Sequence, residues 1–156
     1  MSTEWRCGQL TLQSGPGAPA SARAAVVRWL GRSVPPDTLD DVRLVVSELV
    51  TNSCVHVQDP VDRTVRLTAG VFAGQIRVEV RDAGRDGAVL RRTPEGVGGF
   101  GLNLVAAIAD RWGVDHADGT LVWCVLPATP EAESDYAFHR DGPATSARDV
   151  PSAPTG

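Results

Sequence analysis

Glu48, Asn52 and His56 are spaced four apart in the stretch Glu48-Leu-Val-Thr-Asn52-Ser-Cys-Val-His56. On an α-helix that spacing sets an acid, an amide and an imidazole along one ridge. A carboxylate placed there can polarise a hydroxyl or a water, and an amide oxygen is a suitable Mg²⁺ ligand. The element that must hold them is legible. Val42, Val45, Val46, Leu49 and Val57 recur at helical spacing and predict a helix over Asp41 to Val57, with Glu48 and Asn52 beside its apolar stripe. Glu, Asn and His are also ordinary residues of a solvated helix flank. By itself the motif leaves both uses open.

Two further boxes follow. Val80-Arg81-Asp82-Ala83-Gly84 closes an alternating segment. An aspartate at a strand end, with a glycine just beyond, lets a flat ring approach the backbone and accepts a hydrogen bond from an exocyclic amine such as adenine N6. A solvated turn uses the same residues. Next comes Gly96-Val-Gly98-Gly99-Phe-Gly101-Leu102-Asn-Leu104, running into an apolar helix. Glycines there let backbone N–H groups converge on an anion at a helix N-terminus. Gly96, Gly98 and Gly101 also match G-x-G-x-x-G. That fingerprint sits in a tight turn after a parallel strand, whereas here a long polar loop precedes it and the neighbouring hairpins are antiparallel.

The elements that carry these boxes can be followed along the chain. Residues 5–12 predict a short strand with Leu10 and Leu12 on one face, and Ala18 to Leu30 a helix stopped by Gly31 and Pro35-Pro36. Asp37 or Thr38 is the expected cap of the long helix, and Asp59-Pro60 its end. Thr64 to Phe72 and Gln75 to Arg81 alternate about Ala73-Gly74, predicting an antiparallel hairpin with Val65, Leu67, Ala69, Ile76, Val78 and Val80 inward and the other face solvated. Residues 83–98 read as a loop and Gly101 to Ala109 as a short helix. Trp112 to His116 and Thr120 to Leu126 form a second hairpin across Ala117-Asp118-Gly119, with Trp112 and Trp123 as sheet core. The order implies an α/β fold, a two-layer α/β sandwich with helices on one face of a mainly antiparallel sheet.

Composition sets the outer limits. With 156 residues, 42% of them hydrophobic, the chain can build one ordinary core, here assigned to residues 1–127. Residues 128–156 are rich in Pro, Ala and Ser, hold two Arg against five acids, and are expected to be a disordered acidic tail. No apolar run reaches spanning length. The opening residues lack a charged-then-apolar signal region, and three widely spaced cysteines suit neither a disulfide framework nor a zinc site. The expected setting is the cytoplasm. All 15 basic residues are arginine. A P-loop and a eukaryotic-type protein kinase both need a phosphate-facing lysine, so both are excluded, as are Schiff-base enzymes. A net charge of −4 without a basic run argues against a nucleic-acid binder.

Taken in order, the boxes resemble the GHKL ATPase superfamily of gyrase, histidine kinases, mismatch-repair ATPases and the large heat-shock chaperone. Within it the chain is most similar to the stand-alone anti-sigma-factor serine kinases. The resemblance covers roughly residues 5–127 and is carried by Glu48-x-x-x-Asn52-x-x-x-His56, Asp82-x-Gly84, Gly99-Phe-Gly101-Leu102-x-Leu104-Val105, Ala109-Asp110-Arg-Trp-Gly-Val114 and Gly119-Thr120. It implies a GHKL-type sandwich binding ATP and Mg²⁺. Glu48 would be the general base on a substrate serine, Asn52 the metal ligand and Asp82 the reader of the adenine amine. Thr120 would join Asp82 through water, with Gly84, Gly99, Gly101 and Leu102 around the nucleotide. His56 is read as a packing histidine. Asp86 stands where the family's adenine box has its second glycine, with Gly87 one place later. Arg85, Arg91 and Arg92 are either phosphate contacts or a solvated loop. The implied partners are a sigma factor, sequestered, and its antagonist, phosphorylated on serine, with a homodimer as the assembly and no contact with nucleic acid or membrane. A non-catalytic ATP-binding regulator and a slow ATPase remain as other uses of the fold. Intact Glu48 and Asn52 favour the kinase over the regulator.

Overall fold

A computed structural model of the chain describes residues 6–56, 63–83 and 100–129. Its elements are β1 (Arg6–Gln13), α1 (Ala18–Leu30), α2 (Pro36–His56), β2 (Thr64–Phe72), β3 (Gln75–Asp82), α3 (Phe100–Ile108), β4 (Arg111–Asp115) and β5 (Thr120–Pro127). The five strands form one sheet in the order β1-β2-β3-β5-β4, antiparallel throughout. α1 packs on β1 and β2, α2 on β2, β3 and β5, and α3 on α2 and β4. The expected two-layer α/β sandwich is the architecture observed.

The apolar stripe explains the seating of α2. Val42, Val45, Val46, Leu49 and Val50 are fully buried among the inward residues of β2, β3 and β5. Val50 widens the stripe beyond the expected set, and Val57 lies outside the described residues, as do Asp59 and Pro60. The helix also starts at Pro36, five residues before Asp41. Proline costs nothing at a first turn because its missing N–H would have no partner there. The Leu39 N–H already donates to the Pro35 carbonyl at 2.9 Å. Asp37 and Thr38 therefore lie inside the first turn and are not its cap. Asp37 suits the positive end of the helix dipole, and Thr38 is buried.

The β2–β3 hairpin turns at Ala73-Gly74 with φ of 48° and 76°, the twist a two-residue connection requires. Its inward set is the expected one. Its outer face differs from expectation. Arg77, on the face assigned to solvent, is only 7% exposed. The cross-strand register puts Val125 beside Arg77, and Trp123 beside Glu79 and Gly113. Leu121, Trp123 and Val125 form a second buried cluster there, and the Arg77 guanidinium lies over the Trp123 ring at 5.1 Å. Trp112, by contrast, packs half-buried against the main core. No described helix is long and apolar enough to cross a membrane. The expected tail from residue 130 onward lies outside the described residues.

Leu49 is buried between Glu48 and Asn52 and ties their helix to the sheet. Leu49→Ala leaves a cavity under that turn, so urea unfolding should show stability lower by about 2–5 kcal/mol with an unchanged slope.

Candidate functional site

The sheet supplies the floor of the site at one end of its central strands. Asp82 is the last residue of β3, paired with Val65 on one side and with Thr120, the first residue of β5, on the other. Both Asp82 and Thr120 are buried, at 4% and 1% exposure. In so closed a position any hydrogen bond the carboxylate accepts is stronger than it would be in water. The Thr120 hydroxyl also lies 3.5 Å from His116 Nδ1.

The β4–β5 connection is shaped to fit against this strand end. Asp115 Oδ1 accepts the Ala117 N–H at 2.8 Å, and Arg81 Nη1 donates to the Asp118 carbonyl at 2.5 Å. Gly119 has φ +74°, and a Cβ there would stand 2.1 Å from the Asp82 carbonyl oxygen. Only glycine lets the chain pass that close in that conformation.

The C-terminal half of α2 lies over the same end. Ser14, just beyond β1, donates its N–H to the Arg63 carbonyl at 2.7 Å and its hydroxyl to the Cys54 carbonyl at 3.2 Å. Leu12 pairs with Val65, and Val65 with Asp82. Cys54 is thus tied to the edge of the sheet that ends in Asp82, and Asn52 is half a turn before it. Glu48 and Asn52 are both half-buried. The Asn52 Nδ2 atom is buried and has no hydrogen-bond partner among the described residues. One turn earlier, Arg23 Nη1 donates to the Ser47 hydroxyl, which donates in turn to the Arg43 carbonyl, both at 2.9 Å. That chain fixes α1 against α2 beside Glu48.

Leu102 is half-buried against the core on α3, and Gly101 lies in that helix's first turn. Gly84, Gly99, Asp86, Gly87, Arg85, Arg91, Arg92 and the side chain of His56 lie outside the described residues. The structure therefore pairs Asp82 with Thr120 at one end of the sheet and ties the C-terminal end of α2, two residues beyond Asn52, to Ser14 at the sheet edge. Two contributors escaped sequence reasoning. His116 was placed only as a strand end, although it flanks the turn four residues before Thr120. The Arg23–Ser47 bond has no local sequence signal at all.

Cys124 is buried in the core, away from this strand end. Burial pushes the Cys124 thiol up to about 12, against smaller lowering influences from Arg77 and a Val78 backbone hydrogen bond. It stays protonated and inert. Among the described residues no three His, Cys, Asp or Glu side chains group as a metal cage. Asp82 and Thr120 offer a carboxylate and a hydroxyl at a buried strand end, and Glu48 and Asn52 are half-buried on α2. A buried carboxylate at a strand end can accept a hydrogen bond from the amine edge of a flat polar ring.

A family model described as the histidine kinase-like ATPase domain matches residues 12–126, a span holding all of these residues. The chain is also similar to the anti-sigma F factors of Clostridium botulinum strain Eklund 17B (Type B) and strain Alaska E43 (Type E3). Each is 32% identical over 68 residues, covering 42% of this chain and 48% of the relative. The chain spans about half the length of the curated relatives it matches.

Gly119→Ala forces a side chain into left-handed backbone and against the Asp82 carbonyl. It should lower stability by roughly 1–3 kcal/mol in thermal or urea unfolding. In a ¹⁵N–¹H correlation spectrum the largest shift changes should fall on Ala83, Thr120 and their neighbours.

Proposed function

The chain belongs to the histidine kinase-like ATPase domain family, and from that premise we propose that it is an ATP-binding anti-sigma-factor serine/threonine protein kinase. It sequesters a sigma factor and phosphorylates a serine on the antagonist of that complex. The family's description implies ATP binding. What supports the rest is the buried strand end formed by Asp82 and Thr120, together with half-buried Glu48 and Asn52 on α2, whose C-terminal end is tied to Ser14 at the sheet edge. Similarity to two anti-sigma F factors supports the choice of partners. The same reading makes the protein a cytoplasmic homodimer that engages neither nucleic acid nor membrane.

Asp82 accepts the adenine N6 amine, and Thr120 joins it through a water. Gly84, Gly99, Gly101 and Leu102 border the nucleotide, the glycines allowing close backbone approach to phosphate. Asn52 would hold Mg²⁺. The fit rests on its orphaned amide end: turning the carboxamide over exchanges nitrogen for oxygen without changing its shape. One protein oxygen, completed by phosphates and waters, is an ordinary set for Mg²⁺, which there neutralises phosphate charge.

Glu48 takes the proton of the substrate serine as its Oγ bonds to the γ-phosphorus. The bond from that phosphorus to the bridging oxygen breaks, and ADP leaves. A hydroxyl is a poor nucleophile at neutral pH, and a positioned carboxylate base contributes about 10²–10⁴-fold in rate. Arginine is the chain's only basic side chain apart from histidine, so positive charge toward the phosphates comes from arginine, the metal and the N-terminus of α3.

Calorimetry should show ATP and ADP binding with much weaker GTP binding, because guanine O6 has no proton to give Asp82. Equal affinities would remove Asp82 from the adenine site. Asn52→Ala should lose the Mg²⁺ dependence of ATP binding.

Glu48→Gln keeps the shape and removes the base. It should bind Mg-ATP and the sigma partner like the parent chain, yet transfer no label from ATP to the antagonist. Transfer at the parent rate would exclude Glu48 as the base. A parent chain that binds ATP and antagonist without any transfer would make the protein a non-catalytic regulator, and ATP hydrolysis with neither partner bound would make it a slow ATPase.

A further inference from the structure

Among the described residues three large hydrophobic side chains stand open to solvent: Val27 at 42%, Leu44 at 42% and Val55 at 62%. Single exposed hydrophobics are ordinary on a protein surface. Two of these three, however, share one ridge of α2 with Glu48. Asp37, Asp41, Leu44, Glu48, Thr51 and Val55 succeed one another at steps of four, three, four, three and four residues. That is the spacing of neighbours along a single helix face. Val42, Val46, Leu49 and Ser53, on the opposite face, are buried. The ridge therefore points away from the sheet. Glu48 is half-buried on it, and the other five are exposed.

Glu48 stands between the two hydrophobics, one turn after Leu44 and two turns before Val55. With the rise of a helix, Leu44 is about 6 Å away along the axis on one side and Val55 about 10 Å on the other. A hydroxyl brought to Glu48 on a folded partner places that partner's surface over the same turns of α2. Leu44 and Val55 then leave water together, and the apolar area they lose contributes to the contact. A contact built on so few side chains is small, which suits a partner that must depart once it has been modified.

Charge specifies the rest of the surface. α2 holds Asp37, Asp40, Asp41 and Glu48 against Arg43. Arg43 bonds Asp40 at 3.0 Å, and Asp37 and Asp41 form no ion pair among the described residues. The Leu44 end of the ridge is anionic, and the surface that matches it carries a cation.

Taking Glu48 as the base of the proposed phosphotransfer, and so resting on that reading, we infer that the α2 ridge from Asp37 to Val55 is the docking surface for the protein substrate. The antagonist lays apolar side chains on Leu44 and Val55, to either side of its acceptor serine, and a basic side chain toward Asp37 and Asp41. The ridge selects which protein is phosphorylated and takes no part in the transfer itself.

The probe is purified antagonist, titrated by label transfer from ATP and, without nucleotide, by fluorescence anisotropy. The double variant Leu44→Gln, Val55→Thr removes apolar surface and leaves helix propensity nearly unchanged. Its KM for antagonist should rise about 10-fold or more, with kcat within about twofold of the parent, as for lost uniform binding. The dissociation constant should rise with KM. Leu44→Met should behave as the parent, and so should Val27→Thr, which removes exposed apolar surface from α1. Asp41→Asn should raise KM less and flatten its dependence on salt. Transfer with KM and dissociation constant unchanged in the double variant overturns the ridge and leaves the kinase reading standing. A parent that binds antagonist without transferring label overturns the kinase reading, and the dissociation constants alone then decide the ridge. A parent that does not bind antagonist overturns both. A double variant that loses sigma binding or self-association while keeping its affinity for antagonist also overturns the ridge.

Discussion

A carboxylate closed off at the end of a central strand is what the rest of this architecture has to accommodate. Asp82 is flanked in the sheet by Val65 of β2 and Thr120 of β5 and is 4% exposed. That geometry dictates its neighbours. β5 must begin opposite it with a residue small enough to share the space and polar enough to join a hydrogen-bond network, and Thr120 does both. The chain entering β5 must pass the Asp82 carbonyl without a side chain, which Gly119 achieves at φ +74°. The connection before it is held to β3 by Arg81. Above the open side, the helix must present polar groups along one ridge while burying an apolar stripe next to it. Glu48 and Asn52 are therefore placed by the packing of Val45, Val46, Leu49 and Val50 as much as by any bond of their own.

The fold was largely legible because its two periodicities are clean. Val42, Val45, Val46 and Leu49 fall on one side of a helix, and Val65, Leu67, Ala69, Ile76, Val78 and Val80 on one side of a hairpin. The start of α2 was misplaced because Asp37 and Thr38 are good capping residues, whereas the helix begins at Pro36, with the Pro35 carbonyl accepting its first hydrogen bond. The outer face was misread for a different reason. Alternation separates two faces of a strand but cannot say whether the second is covered, and Arg77 has the composition of a solvated position. At the site, Asp82 and Thr120 announce themselves as strand ends. Their adjacency is another matter, since it follows from β3 pairing with β5 across 37 intervening residues. No local pattern encodes that pairing.

That pairing also has a consequence in time. β1, β2 and β3 join as neighbours, and α1 and α2 form a helical hairpin, all through contacts confined to the first half of the chain. β5 can join only after a loop of 37 residues closes, and ordering such a long-range contact is an entropic cost met before any reward arrives. A chain folded only through β3 carries Glu48 and Asn52 on their helix and Asp82 at an unpaired strand edge, with no Thr120 beside it. On the proposed function, the pair Asp82–Thr120 that reads the adenine is complete only once β5 has joined β3.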